Sequence, residues 1–266
     1  MLERNEVNSN AYQTHPIFNV IRQMMDFYNG VSDTCYSYVA SGAPGIGNYA
    51  SYVYLSLQYT LDSIKILLME GHITDAFVLS RKYFDTVLVE IYIDVVRRDK
   101  YDWMESFIVK DVEEWIKGHY RIPTIKKILG ILKTSESTKD LFPYFGWNTY
   151  LKNNREFLDD SVHVNRYYGL LMNCPQICLK DREKQLNNIS IILNQVFLIH
   201  ISFIFHLNGH YLMASDYVDS LELGLTPPEG SERWIAQYAQ RAFNIFIKPH
   251  EKLASFIKDS CQLDID

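Results

Sequence analysis

Residues 153–165, NNREFLDDSVHVN, bring together side chains that could carry out acid–base chemistry beside an anion. The imidazole of His163 can change protonation near neutral pH, and the guanidinium of Arg155 can make two parallel hydrogen bonds to phosphate oxygens. Seven residues separate Arg155 from His163, so on an ideal helix the two stand about 80° apart around the axis. A kink or a bulge would be needed to bring them into line.

Neighbouring side chains could support either residue. Glu156 is nearly in line with His163, and Asp159 lies one helical turn before it, close enough to orient the ring. Arg166 follows three residues after His163 and is another candidate for an anion contact. The alternative is structural, with His163 near a helix end interacting with the C-terminal dipole and with Asp159 or Asp160. Both interpretations stay open at the level of the sequence.

A second candidate, Arg81, lies in the most regular helical pattern of the chain. Apolar residues recur there at helical spacing, namely Phe77, Phe84, Leu88, Ile91 and Val95. Arg81 falls on this stripe and needs an anionic or carbonyl partner, because an unpaired buried charge is costly. Asp85, four residues later, and Asp62, on the preceding predicted helix, are the candidate partners. A structural ion pair and a contact with the site of His163 are the two interpretations.

Long helices are expected to position these residues. The chain has 266 residues with 12 Gly and 8 Pro, which favours long helices over many short strands. Strand-like alternation does not persist between turn signals, so the predicted fold class is all-α. Helices are predicted over about 16–40, 49–70, 74–98, 150–164, 180–208, 231–247 and 249–259, with shorter ones within 101–134.

The domain organisation follows from the same pattern. A polar tail is predicted at 1–15 and a helical bundle domain at 16–222. The stretch LGLTPPEG at 223–230 is a predicted linker, because Gly and Pro interrupt regular structure. Residues 231–266 are predicted to form a C-terminal helical pair packed on the bundle.

Residues 189–207 contain no formal charge over a length that could span a bilayer,. Four polar residues in this segment would be costly in hydrocarbon, namely Asn194, Gln195, His200 and His206. A buried central helix is therefore predicted, and a membrane-spanning helix is not. The N-terminal residues lack the apolar segment of a signal peptide, and the four cysteines show no disulfide or zinc spacing,. A cytoplasmic protein is the resulting prediction.

The net charge and the spacing of potential metal ligands limit which nucleic acids and metal ions are predicted to bind. The net charge is −6, unlike that of a basic protein that coats nucleic acid, so duplex DNA is not a predicted partner. His206 and His210 have the spacing of metal ligands, but Asn208 and Gly209 interrupt the helix between them. No metal and no cofactor are predicted.

The segment GHITDAFVLSRKYFD, which begins at Gly71, resembles the second core helix of the HEPN-like superfamily. In that helix a Gly-x-x-x-Asp/Glu-Ala start often leads to an Arg and then to an acidic residue. The similarity is greatest to bacterial all-helical families of unknown function, several of which occur near antiphage-defence genes. The resemblance covers about 47–210 and implies a HEPN-like antiparallel helical bundle with extra N- and C-terminal helices.

HEPN ribonucleases carry an Arg followed, after four to six residues, by a His, and two protomers form one metal-independent site. The resemblance therefore implies an endoribonuclease acting as a toxin or antiphage effector, with His163 and Arg155 as catalytic residues. The supporting residues are Asn154, Glu156, Asp159, Asp160, Arg166, Arg81 and Asp85. The implied partners are RNA, a second copy of the chain, and a cognate antitoxin or defence partner protein.

The spacing of seven residues is one longer than the family pattern. This departure and the acidic net charge favour a different class of function. The alternative is a catalytically inactive helical interaction module that binds a partner protein or a small ligand.

Overall fold

The computed structural model describes residues 6–39, 49–100, 109–147, 150–177 and 181–266, except for the side chains of 37–39 and 150. Across these ranges the all-α prediction is confirmed, because they contain helices and no strand. Two isolated β-bridges in the described residues join Met213 to Ile235 and Trp234 to Asp264. The stretch SGAPGIGN at 41–48, whose Gly and Pro residues predict a loop, lies outside the described residues.

The α-helices within the described ranges are α1 (Asn10–Gln13), α2 (Ile17–Val39), α3 (Tyr49–Met69), α4 (Ile73–Lys100), α5 (Lys110–Ile116), α6 (Ile125–Thr134), α7 (Tyr150–Val162), α8 (Tyr167–Met172), α9 (Arg182–Leu207), α10 (Asp216–Glu222), α11 (Gln237–Ala242) and α12 (Glu251–Cys261). A π-helical turn, Phe243–Ile247, follows α11, and short 3-10 turns lie at Phe142–Tyr144, Gly209–Leu212 and Ser231–Arg233. The short helices α1, α8 and α10 were not expected from the sequence, because none is long enough to show a helical period.

Gly71 ends α3, as the sequence predicts. Its φ is +84°, a left-handed conformation that glycine adopts without strain. The N–H groups of Gly71 and His72 donate to the carbonyls of Leu68 and Leu67 at 3.0 and 2.8 Å. The last turn of α3 is therefore capped by backbone, and α4 begins two residues after Gly71.

The long apolar helix α9 is mostly buried, and this prediction is confirmed. Seven of its apolar residues are each at most 2% exposed: Ile189, Leu193, Val196, Phe197, Ile201, Ile204 and Phe205. By length and composition alone α9 could cross a membrane, and 67% of its most apolar window is buried inside the protein. Burial by neighbouring helices explains its apolarity without lipid.

The chain divides into two compact units. Unit 1 comprises Met1–Met25, Ser56–Val87 and Phe145–Phe197, and unit 2 comprises Asp26–Leu55, Leu88–Tyr144 and Leu198–Asp266. The predicted domain boundaries at 16, 223 and 231 stay a prediction. Within the predicted N-terminal tail, Val7 and Tyr12 are buried. The Tyr12 hydroxyl donates to the Leu68 carbonyl at 2.7 Å, which holds α1 against the end of α3 in unit 1.

Candidate functional site

Two helices of unit 1, α4 and α7, contribute four charged residues that we name the charge cluster: Arg81, Asp85, Arg155 and Asp159. Arg81 pairs with Asp85 on its own helix, and its Nε lies 2.6 Å from Asp159 Oδ1 on α7. Arg155 is 3.4 Å from Asp159 Oδ2 and 3.7 Å from Asp85 Oδ1. Each arginine therefore contacts both carboxylates, and the cluster has no net charge.

Arg81 is 8% exposed, so its guanidinium needs the two carboxylates it contacts. Asp85 was one of the two partners considered from the sequence. Asp62, the other, pairs with Lys65 at 3.8 Å. Asp159 was not considered as a partner of Arg81, because it lies 78 positions further along the chain.

His163 follows α7 directly and is exposed. Its N–H donates to the Asp159 carbonyl at 3.0 Å. In the described part of the chain no hydrogen bond or ion pair joins its ring to another side chain, so Arg155 and His163 do not form one contact group. Arg155 contacts Asp85 and Asp159 within the charge cluster instead.

The supporting residues are dispersed. Asn154 donates to Gln195 at 2.6 Å, and Glu156 pairs with Lys152 at 3.6 Å on the surface. Asp160 pairs with Arg166 at 2.8 Å and accepts from Asn165 at 3.1 Å. The structure thus separates the predicted site into the charge cluster, an Asp160–Arg166 pair and the exposed His163.

Val164 redirects the chain between α7 and α8. Its φ is +52°, a conformation rare for a β-branched residue that costs roughly 1–3 kcal/mol. Val164 is also 54% exposed. The turn lies between α7, which ends at Val162, and α8, which begins at Tyr167.

A cavity of about 400 Å³ in unit 1 lies beside this turn. Its walls come from the start of α4, the end of α7 and α8. Its lining includes the apolar side chains of Phe77, Phe157 and Met172 and the charged side chains of Asp75, Asp160 and Arg166. A largely apolar cavity with a few polar groups is typical of small-molecule sites.

Specific contacts fix the cavity walls. Phe77 and Phe157 meet edge to face with ring centroids 5.1 Å apart. The Thr74 hydroxyl donates to the Gly169 carbonyl at 2.5 Å. The Asn173 amide donates to the Asp75 carboxylate at 2.9 Å and accepts the Asp75 N–H at 3.3 Å. The start of α4 and the end of α8 are therefore joined.

Arg182, at the start of α9, anchors the segment that follows α8. Its side chain is 0% exposed. The guanidinium donates to four backbone carbonyls, those of Gly71, Met172, Cys174 and Ile177, at 3.0, 3.3, 2.6 and 3.3 Å. The role of Arg182 was not predicted from the sequence, because its charged neighbours are typical of a solvated helix start.

Unit 2 contains a buried polar network that was also not predicted from the sequence. His200 lies on α9. Its Nδ1 is 2.7 Å from the Tyr28 hydroxyl, and its Nε2 is 2.8 Å from Glu90 Oε2. A neutral imidazole has one donor and one acceptor nitrogen, so His200 can form a hydrogen bond with each of these two partners. Asn208 donates to Asp94 in the same network. Glu90 and Asp94 in the apolar run VLVEIYIDVV were the signal that could have indicated it.

Burial controls the protonation of this network. It raises the pKa of the Asp94 carboxyl to about 8, and the neighbouring Glu90 raises it further whereas Arg97 lowers it. Burial also raises the pKa of Glu90 and lowers the pKa of His200 to about 3. The network therefore holds a neutral imidazole and a protonated Asp94 at neutral pH.

Neither a metal-ligand group nor a known relative assigns a role to the described residues. Among the residues that the structure describes, no group of three His, Cys, Asp or Glu side chains is placed to hold a metal ion. No protein-family model, curated protein or solved structure matches this chain.

Proposed function

We propose that the chain is a helical binding protein that takes a small ligand in the unit 1 cavity. The observation that carries the proposal is the cavity itself, with about 400 Å³ of space and a lining that combines apolar and aromatic side chains with a few polar ones. This volume lies within the range of cavities that bind small organic ligands, roughly 300–1,000 Å³.

The charge cluster supports binding over catalysis. Both guanidinium groups already contact Asp85 and Asp159, so a phosphate would have to displace a carboxylate partner. His163 is not among the residues that line the cavity, although Val162 and Val164 are. The cavity walls thus supply shape, apolar surface and hydrogen-bonding groups, and no histidine is among the described residues that line them.

The experiment measures the thermal stability of the full chain with a set of small uncharged aromatic probes. A ligand that binds only the folded state stabilises it by about 2.7 kcal/mol at one hundred times its Kd. Val78→Trp places a large ring at the cavity wall and is expected to abolish the response. Ile191→Trp, at a residue 48% exposed and outside the cavity, is the matched control. A response retained in Val78→Trp would contradict the proposal.

We propose a metal-independent ribonuclease of the HEPN type as the second candidate. The observation that favours it is the exposed His163, which follows α7 close to the Asp160–Arg166 pair. In this proposal two copies of the chain bring their His163 residues together, RNA is the substrate, and the all-α fold is a HEPN-like bundle. An antitoxin or defence partner protein would then control the activity.

This candidate is tested by incubating the purified chain with tRNA and total RNA in EDTA. His163→Ala is expected to abolish cleavage, because an imidazole transfers protons near neutral pH. His119→Ala, which removes another exposed histidine, is the matched control. Equal cleavage by the wild-type chain and His163→Ala, or cleavage by neither, would count against a ribonuclease.

A further inference from the structure

We infer that the unit 1 cavity takes a small organic cation, an ammonium group attached to a single aromatic or branched aliphatic body. The inference rests on the proposed binding function and adds the chemical class of the ligand. It draws on the charges that line the cavity, the position of Asp75 and the aromatic side chains of the wall.

The charged residues that line the cavity are two carboxylates and one guanidinium: Asp75, Asp160 and Arg166. Arg166 is already paired with Asp160 at 2.8 Å, and its side chain is 71% exposed. The Asp75 carboxylate accepts a hydrogen bond from the neutral Asn173 amide, and no ion pair within the described ranges joins it to a cationic side chain. The lining therefore carries one net negative charge and complements a cation.

The N-terminus of α4 also borders the cavity, and a helix N-terminus by itself attracts anions. Here the Asp75 carboxylate already occupies the first turn of α4. The Asp75 N–H is also engaged, since it donates to Asn173 Oδ1 at 3.3 Å. An incoming carboxylate or phosphate would meet Asp75 at close range, so this end of α4 favours a positive group.

Aromatic side chains supply the second part of the recognition. Phe77, Phe157 and Tyr168 all line the cavity. Aromatic faces attract ammonium groups within about 6 Å of the ring centroid, and their apolar surface also accommodates a hydrocarbon body. The volume of about 400 Å³ lies near the small end of ligand cavities, which favours one ring system over a nucleotide or a polycyclic compound.

The test compares three probes that share one body and differ in charge: 4-phenylbutylamine, 4-phenylbutan-1-ol and 4-phenylbutanoate. Binding to the full chain is measured by calorimetry at low and high ionic strength. The amine is expected to bind about tenfold more tightly than the alcohol, because a charge-assisted contact is stronger than a neutral one. This advantage should shrink at high salt, because the Asp75 end of the cavity is exposed,.

Asp75→Asn and Asp160→Asn, made separately, are each expected to reduce the preference for the amine. Two variants are used because Asp160→Asn also releases Arg166 from its partner. Asp219→Asn removes an exposed carboxylate outside the cavity and should leave all three affinities unchanged. Circular dichroism and melting temperature confirm that each variant is folded.

The outcomes separate the ligand class from the binding function. Equal binding of amine and alcohol, or tighter binding of the butanoate, overturns the cationic class while the binding function stands. Binding of no probe overturns both. A preference for the amine that survives both Asp75→Asn and Asp160→Asn also overturns the inference, because the two carboxylates would then not be its source.

Discussion

Raising the pH from 6.5 to 8 is expected to destabilise the protein through Asp94. The carboxyl is 3% exposed, and burial raises its pKa from an ordinary 3.8 to about 8. The folded state therefore retains a proton that the unfolded state has released. The stabilisation from this protonated group is fully present below pH 3.8 and is lost as the pH rises through about 8.

His200 has the opposite effect in a different pH window. Burial lowers its pKa from an ordinary 6.5 to about 3, so its contribution is present above pH 6.5 and is lost as the pH falls towards 3. Between about pH 4 and 6.5 the two groups oppose one another, and above 6.5 Asp94 is no longer offset. Glu90, whose pKa is also raised by burial, acts in the same direction as Asp94.

The magnitude follows from proton linkage. When the folded state holds one proton more than the unfolded state, each unit of increase in pH lowers the free energy of unfolding by about 1.4 kcal/mol. Between pH 6.5 and 8 the free energy of unfolding should therefore fall by about 1.5–2 kcal/mol. Its dependence on pH becomes less steep in this range because the folded state also begins to release the Asp94 proton. Ordinary exposed carboxylates contribute nothing in this window, because they are ionised in both states.

The assay is urea unfolding at pH 6.5, 7.25 and 8.0 at constant ionic strength. Asp94→Asn mimics the protonated carboxyl, since its amide can donate to Glu90 and accept from Asn208, so its stability should vary much less with pH. Asp219→Asn, at an exposed carboxylate, should keep the wild-type slope. A wild-type stability that is flat or rises with pH would refute the reasoning, and so would an equal fall in Asp94→Asn.

Three further predictions concern stability. Arg182→Met is expected to lower the free energy of unfolding, measured in urea, by at least about 3 kcal/mol, because it leaves four backbone carbonyls without their donor. The control Arg22→Met, on an exposed part of α2, should change this free energy little. Phe197→Ala is expected to cost about 3–5 kcal/mol, and a loss no greater than that of Ile191→Ala would contradict full packing. Arg81→Lys keeps the charge but cannot contact both carboxylates in the same way, so its melting temperature should fall, and an unchanged value would show that the charge cluster contributes little.

Local features were predictable from the sequence because they depend on neighbours in the chain. The end of α3 at Gly71 follows from the backbone freedom of glycine, and the burial of α9 follows from its all-round apolarity. The Arg81–Asp85 pair is likewise local, because residues four apart on a helix share one face. The all-α fold class is the sum of such local signals.

The candidate site depended on contacts between distant segments. Asp159 contacts Arg81 only because α7 packs on α4, and no local sequence pattern predicts which helices pack together. The carbonyls that bind Arg182 belong to separate residues, of which the first in the chain is Gly71 and the last is Ile177. The partners of His200 lie on two other helices, α2 and α4. Backbone carbonyls are the same for every residue type, so the sequence carries no sign of which ones a side chain will meet. The cavity likewise exists only where α4, α7 and α8 come together, and its shape was therefore decided by tertiary packing alone.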